Sequence, residues 1–267
     1  MSMGNPNGTP IWYELAAADP DAAKAFYEAV APWSVEARPA GEMDYRMITV
    51  TGADNVGGLA RFNQGQAPTP AMTPGWRVYF GVDDVDATVA AIRDAGGAVH
   101  LGPFDLEGVG RMAFVADPQG NTFYVMRGAT EGATSTVFAR GDEPGKCSWH
   151  ELVTSDAVAG NAFYARVFGW TYPRKMEMPG EMGDYTFIDC AGQELGGTMT
   201  AAMPGQPTGW QVYFRVADID AAAEAVTANG GAVHMGPMEV PGGERVIMAS
   251  DPAGAPVGFV AGTEAAA

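Results

Sequence analysis

Apolar and polar residues follow two alternating patterns along this chain. Segments in which apolar positions alternate or run together, such as IWYELAA from Ile11 and WRVYFGV from Trp76, predict β-strands. Segments with apolar residues three and four positions apart, such as Phe26, Tyr27 and Val30, predict amphipathic helices. Strand and helix patterns succeed one another in a fixed order, which predicts a β-α-β-β-β unit.

Polar residues at the ends of these segments support the same order. Asp19 or Asp21 can cap the first helix, and Asp83 or Asp84 can cap the second, because an aspartate accepts hydrogen bonds from the free amides of the first turn. The glycines that begin at Gly96 stand where helices commonly end. The sequence ADPQGN predicts a turn before the last strand of the unit.

The unit order repeats across the chain. WYELAAADPDAAKAFYEAVAPW from Trp12 matches WHELVTSDAVAGNAFYARVFGW from Trp149, an offset of 149−12=137. GWRVYFGVDDVDATVAAIRDAGGAVHLGPF from Gly75 matches GWQVYFRVADIDAAAEAVTANGGAVHMGPM from Gly209, an offset of 209−75=134. The chain therefore consists of two homologous halves with two units in each half.

The repeat predicts an α+β protein of two tandem domains. A first domain is expected at residues 8–128 and a second at 146–262, joined by a linker at 129–145 that is rich in glycine, threonine and charge.

Composition excludes several classes of partner. The formal net charge is −17, from 15 Lys and Arg against 32 Asp and Glu, so nucleic acid and anionic membranes are poor partners. No apolar run approaches the ~20 residues that span a bilayer, and no secretory signal is visible. Two cysteines do not form a disulfide framework, which favours a cytoplasmic location.

The matched segments resemble the vicinal oxygen chelate superfamily, which includes glyoxalase I, bleomycin-resistance proteins, methylmalonyl-CoA epimerase and extradiol dioxygenases. The resemblance rests on the strand before SDAVAGNAFYARVFGW, on VDDVDATVAAIRDAGG and on the DPQGN turn, and it covers almost the whole chain. It is strongest to two-domain glyoxalase-like proteins whose first strands read W-x-E-L. It implies that paired β-α-β-β-β units form two half-open barrels, each with a concave face, the cup, that binds a small ligand and usually a divalent metal.

The family's ligand positions fall on residues unsuited to a metal. In the family, the residues that bind the metal stand seven positions before the aspartates that cap the helices and seven positions after the aspartate of the DPxG turn. These positions hold Trp12, Arg77 and Tyr124 in the first half, and Trp149, Gln211 and Gly258 in the second. Arginine is a permanent cation, and the fourth-strand segments GGLA and GGTM contain no acid. We therefore expect no metal and no cofactor.

His150 could serve as an unconventional ligand beside Glu151, but it lies one position away from Trp149. Strand side chains alternate between faces, so His150 should point toward the helices. His100 and His234 occupy equivalent places outside the family's ligand positions, and we interpret them as strand-end residues. Cys147 and Cys190 are expected to be small buried residues.

The same alternation predicts which side chains face each cup. They are Trp12, Glu14, Arg77, Tyr79 and Tyr124 in the first half, and Trp149, Glu151, Gln211, Tyr213 and Arg215 in the second. Aromatic walls with a few polar groups suit a small-molecule pocket, although a Glu14–Arg77 pair inside a filled barrel is an equal alternative. In a catalytic cup Glu14 would be the general base, and Arg77 could hold an anionic group. Since Gln211 replaces Arg77, the first cup is expected to prefer anions.

Three functions remain open at this point. The first is a glyoxalase-family protein without the usual metal ligands that binds a small organic molecule in one or both cups. The second is a metal-dependent lyase or dioxygenase with unconventional ligands, and the third is a non-catalytic scaffold with filled barrels. Enzymatic activity and a homodimer are also left open.

Overall fold

A computed structural model of the chain describes residues 4–41, 43–50, 55–62, 72–178, 183–203 and 205–262. The first half contains β1 Pro10–Ala17, α1 Pro20–Val30, β2 Trp33–Val35, β3 Tyr45–Val50, β4 Asn55–Arg61, β5 Gly75–Gly81, α2 Val85–Asp94, β6 Ala98–Leu106, β7 Gly110–Ala116 and β8 Thr122–Gly128. The second half contains β9 Cys147–Thr154, α3 Ala157–Phe168, β10 Lys175–Glu177, β11 Asp184–Cys190, β12 Gln193–Thr200, β13 Gly209–Arg215, α4 Ile219–Ala228, β14 Ala232–Glu239, β15 Arg245–Ser250 and β16 Pro256–Ala261. The β-α-β-β-β order thus occurs four times, as predicted.

An aspartate caps each helix. Of the alternatives in the sequence, Asp19 and Asp84 are the residues that accept first-turn amide hydrogens, and Asp156 and Asp218 do the same in the second half. Each carboxylate meets amides that have no partner inside the helix, which sets where the helix begins.

Each half forms one eight-stranded sheet. The strand orders are β2-β3-β4-β1-β5-β8-β7-β6 and β10-β11-β12-β9-β13-β16-β15-β14. The end strands of each order are not neighbours, so each sheet is open, as expected for a half-open barrel. β1 and β9 lie fourth in their sheets and pair in parallel with β4 and β12. The short strands β2 and β10 were not identified from the sequence.

The chain groups into two compact units, and each unit contains segments of both sequence halves. One comprises Met1–Trp12, Arg77–Ser135 and His150–Gln211, and the other comprises Tyr13–Trp76, Thr136–Trp149 and Val212–Ala267. We refer to them as unit 1 and unit 2. The predicted boundary at 129–145 stays a prediction.

Unit 1 is held together by an aromatic core with a buried polar centre. The centre of the Phe80 ring lies 5.1 Å from the centre of the Trp170 ring and 5.4 Å from that of the Trp210 ring. The Tyr164 hydroxyl donates to Asp117 at 3.1 Å and accepts from Trp210 Nε1 at 3.1 Å. Burial, followed by the nearby Asp117 charge, raises the pKa of Tyr164 well above its usual value.

Unit 2 repeats this arrangement with the equivalent residues. The Tyr27 hydroxyl donates to Asp251 at 3.3 Å and accepts from Trp76 Nε1 at 2.9 Å. Burial, followed by the Asp251 charge, also raises the pKa of Tyr27. The aspartate of each DPxG turn therefore binds a tyrosine from a helix of the opposite half, a role that the sequence did not indicate.

Within the described residues, no helix is long and apolar enough to span a membrane.

Candidate functional site

The central strand of each sheet keeps one face accessible. In β1, Ile11, Tyr13 and Leu15 are buried, whereas Trp12 and Glu14 between them are only partly buried. Trp12 and Glu14 stand two positions apart in the strand, so their side chains point to the same side; that this side forms a binding site stays a prediction.

The same pattern recurs in β9. Ser148, His150 and Leu152 are buried, whereas Trp149 and Glu151 are partly buried. A tryptophan and a glutamate thus lie side by side on the accessible face of both central strands.

A tyrosine lies beside each of these glutamates. The parallel register sets Gly58 opposite Glu14, and a Cβ built on Gly58 would lie 2.1 Å from the Tyr45 Oη atom. In the second sheet Gly197 is opposite Glu151, and its Cβ would lie 2.1 Å from the Tyr185 ring. Tyr45 and Tyr185 were missed by sequence reasoning, although the paired glycines at equivalent places could have indicated a close approach.

Arg77, Tyr79 and Tyr124 lie on one face of unit 1. The Tyr79 and Tyr124 rings stack with centroids 4.2 Å apart and planes 4° apart, and both residues are buried. The Phe114 ring lies 4.8 Å from Tyr124, and Arg77 Cζ lies 5.8 Å from the centre of that phenylalanine ring. Arg77 itself is only partly buried, so this face combines a closed aromatic layer with an accessible cation.

In unit 2, a glycine takes the place that Tyr124 has in unit 1. Tyr213 lies opposite Gly258, and a Cβ on that glycine would lie 2.2 Å from the tyrosine ring. Gln211, in unit 1, is partly buried.

Arg215 follows on the same side of β13 and is buried, with an ion pair to Glu244. The second half therefore also places an arginine on this side of its sheet, paired with an acid.

His150 lies on the buried face of β9, as predicted from its parity. It is 1% exposed, and its Nδ1 atom donates to the Leu195 carbonyl oxygen at 2.9 Å.

The other two histidines differ from each other. The centre of the His100 ring lies 5.6 Å from that of the Phe114 ring, whereas His234 Nε2 lies 2.9 Å from the Ser250 hydroxyl oxygen. Their shared place in the repeat therefore does not produce a shared contact.

Most side chains at the family's ligand positions are poor ligands for a divalent metal. Tryptophan, arginine and glycine supply no suitable side-chain ligand atom, which leaves the oxygens of Tyr124 in the first half and Gln211 in the second. An acid at Gly58, Gly197 or Gly258 would collide with the tyrosine that covers each glycine. Within the ranges that the structure describes, no group of three or more His, Cys, Asp and Glu residues could hold a metal ion.

Both cysteines are buried, as expected. Burial raises the pKa of the Cys147 thiol to about 12, and Cys147 Sγ donates to the Trp149 carbonyl at 3.4 Å. Burial also raises the pKa of Cys190. Neither thiol is activated as a nucleophile.

Comparison with known sequences identifies relatives along nearly the whole chain. CFP32 of Mycobacterium bovis, a candidate glyoxylase by its name, is 36% identical over 250 residues, covering 93% of this chain and 92% of CFP32. The anthracycline biosynthesis protein DauV of Streptomyces sp. strain C5 is 34% identical over 266 residues, covering 93% of this chain and 91% of DauV.

Solved structures share the fold. The Mn(II)-bound glyoxalase of Novosphingobium aromaticivorans has a TM-score of 0.62 at 20% identity, covering 97% of this chain and 84% of that chain. The 2,2',3-trihydroxybiphenyl 1,2-dioxygenase of Sphingomonas wittichii strain RW1 has a TM-score of 0.62 at 17% identity, covering 96% of this chain and 90% of that chain.

A family model matches both halves of the chain. The model described as the Glyoxalase/Bleomycin resistance protein/Dioxygenase superfamily matches residues 10–125 and 146–259. The match repeats once per half, in agreement with the two eight-stranded sheets. The chain therefore belongs to the glyoxalase/bleomycin resistance protein/dioxygenase superfamily.

Proposed function

We propose that this protein binds a small planar organic molecule on the cup-facing side of its sheets, without a divalent metal of the family type. The observation that carries the proposal is the accessible face of β1 and β9. Large side chains at the centre of an eight-stranded sheet would be buried if the cup were filled, but Trp12, Glu14, Trp149 and Glu151 stay partly exposed.

The chemistry of this face favours a flat ligand. Indole and phenol rings offer broad apolar surfaces that stack on aromatic molecules, and each ring brings one hydrogen-bond donor. The carboxylates of Glu14 and Glu151 add a polar contact beside each tryptophan. The name of the relative DauV refers to anthracycline biosynthesis, which supports including fused aromatic rings among the ligands to be tested.

Binding can be tested with a neutral fused-ring probe, 2-naphthamide, and with an anthraquinone. Each is titrated into metal-free protein while tryptophan fluorescence and ligand-observed NMR are followed. Trp12→Ala and Trp149→Ala form a matched pair across the repeat, and loss of stacking at the occupied cup should weaken binding about fivefold or more.

The outcomes of this titration separate the alternatives. Unchanged affinity in both tryptophan variants would contradict binding on this face. Binding that disappears with a chelator and returns with Mn²⁺, Zn²⁺ or Fe²⁺ would favour the metal-dependent alternative. A protein that binds neither probe, and whose tryptophan residues stay unquenched by acrylamide, would favour the scaffold with filled barrels.

A further inference from the structure

Arg215 is a buried cation whose hydrogen bonds are incomplete. Its side chain is 2% exposed. Its Nη2 atom donates to Glu244 Oε1 and lies 3.5 Å from the Ser148 hydroxyl oxygen. The Nε atom is buried and has no hydrogen-bond partner in the part of the chain that the structure describes. Buried polar groups are nearly always paired, so an orphaned guanidinium N–H indicates an acceptor still to be supplied.

A second guanidinium lies close to the same carboxylate. Arg140 donates from Nη1 to the Ser148 carbonyl at 3.0 Å, and it lies 3.9 Å from Glu244 Oε2. Its Cζ atom lies 4.5 Å from the centre of the Trp149 ring. The Asp142 Oδ1 atom lies 3.9 Å from Arg215 Nη1, but Asp142 is fully exposed, so solvent screens its charge.

Two arginines therefore share Glu244 as their only sheltered carboxylate among the described residues, which leaves one positive charge in excess (+2−1=+1). This local excess stands in a chain whose net charge is −17. All of these residues belong to unit 2.

The repeat indicates that the fold does not require this ion pair. With the offset of 134, Arg215 corresponds to position 215−134=81 and Glu244 to position 244−134=110, and both positions are glycine in the first half. The first half nevertheless forms the same strands, β5 and β7, at these places. Since buried ion pairs contribute little net stability compared with other side chains of similar size, a role in binding accounts better for their presence.

We propose that Arg215 and Arg140 form a carboxylate-binding site in which Glu244 takes the place of the ligand's carboxylate until a ligand arrives. The Nε and Nη2 atoms of Arg215 form one edge of the guanidinium, and this edge suits two parallel hydrogen bonds to a carboxylate. The Glu244 side chain is 27% exposed, which leaves a path for it to turn outward toward Arg140. Trp149, which is partly buried and whose ring centre lies 4.5 Å from Arg140 Cζ, offers an aromatic surface for the ligand body.

The ligand class is therefore a small aromatic monocarboxylate. This inference rests on the proposed function, because it specifies the charge of the small molecule proposed to bind in a cup. It assigns the preference for anions to Arg215 in the second half rather than to Arg77 in the first.

The test compares 2-naphthoate with its neutral analogue 2-naphthamide by calorimetry on the full-length protein. The wild type should prefer the acid about tenfold to hundredfold, as expected for a charged contact at a buried site. The double variant Arg215→Gly with Glu244→Gly reproduces the residues of the first half and should lose the preference. Glu244→Gln removes the competing charge and should bind 2-naphthoate about tenfold more tightly.

Arg77→Gln tests the competing cation of the first half, and the preference for the acid should persist in this variant. Equal binding of acid and amide in the wild type would overturn the inference, as would a preference that persists in the double variant or disappears in Arg77→Gln. A thermal melt verifies that each variant is folded. Because the amide reports on the neutral body alone, failure of both probes counts against the proposed function, whereas amide binding without acid preference counts only against the carboxylate site.

Discussion

At the scale of single residues, hydrogen-bond partners distinguish side chains with the same chemistry. Tyr164 and Tyr172 lie in the same unit, and burial raises the pKa of both. Tyr164 bonds to Asp117 and Trp210, whereas the Tyr172 hydroxyl is buried with no partner among the described residues. The sequence shows two tyrosines but not this difference, because partners come from distant segments.

Tyr164→Phe should lower the free energy of unfolding by about 1–3 kcal/mol, because Asp117 and Trp210 would each lose a buried partner. Tyr172→Phe is the matched control and should be neutral or slightly stabilising, because it removes a buried hydroxyl that has no partner. Urea unfolding of both variants measures the effect. Equal losses in the two variants would contradict the assignment.

Cys147 should make stability depend on alkaline pH. Its thiol stays protonated in the folded protein up to about pH 12, whereas an unfolded thiol loses its proton near pH ~8.5. The raised folded pKa means that this contribution to stability is complete below pH ~8.5 and is lost as the pH rises above it, by up to ~1.4 kcal/mol per pH unit.

Wild type should therefore lose more unfolding free energy than Cys147→Ala when urea unfolding at about pH 10 is compared with about pH 8. An identical loss in both proteins would show that Cys147 makes no such contribution. Iodoacetamide should also leave Cys147 unmodified in the native protein and modify it once the protein unfolds.

At the scale of elements, the predicted linker contains both exposed and anchored segments. Residues 129–134 are exposed, whereas Val137 and Phe138 are buried. Backbone hydrogen bonds from Ala139 N to the Cys147 carbonyl and from Cys147 N to the Val137 carbonyl hold the second segment. Composition alone could not separate the two, because glycine and threonine are frequent in loops whether or not neighbouring side chains are buried.

Limited proteolysis should therefore cut after Glu131 with a glutamate-specific protease well before chymotrypsin cuts after Phe138. The nicked protein should remain associated in gel filtration, because Tyr164–Asp117 in unit 1 and Tyr27–Asp251 in unit 2 each join the two sequence halves. Early cleavage at Phe138, or separation of the fragments without denaturant, would contradict this prediction.

At the scale of the whole molecule, the same unit occurs four times with different side chains at equivalent places. Family ligand positions hold Trp12, Arg77 and Tyr124 in one half, and covering tyrosines exclude acids at Gly58 and Gly258. The common scaffold therefore carries different side chains at the positions where other members of the family hold their metal ligands.

We expect elemental analysis of protein purified without chelators to find far less than one equivalent of Zn, Fe, Mn, Ni or Co per chain. Donor chemistry is the reason, since zinc and iron sites usually need three or four N, O or S side-chain ligands. His150→Ala tests the unconventional alternative. A stoichiometric metal that survives dialysis in the wild type and is lost in this variant would refute the prediction.

The sequence by itself determined the repeated order of strand and helix, the resemblance to the family and the alternation that separates Trp12 and Glu14 from their buried neighbours, whereas it left open which aspartate caps each helix of the first half. These features depend on local periodicity and on an internal repeat, and both can be read along the chain.

Only the tertiary structure decided which distant side chains meet. The tyrosines over Gly58 and Gly197, the tyrosine–aspartate bonds between halves and the two arginines around Glu244 join residues far apart in sequence. Their contacts depend on strand register and on how the β-α-β-β-β repeats pack inside unit 1 and inside unit 2, and neither leaves a periodic signal in the sequence.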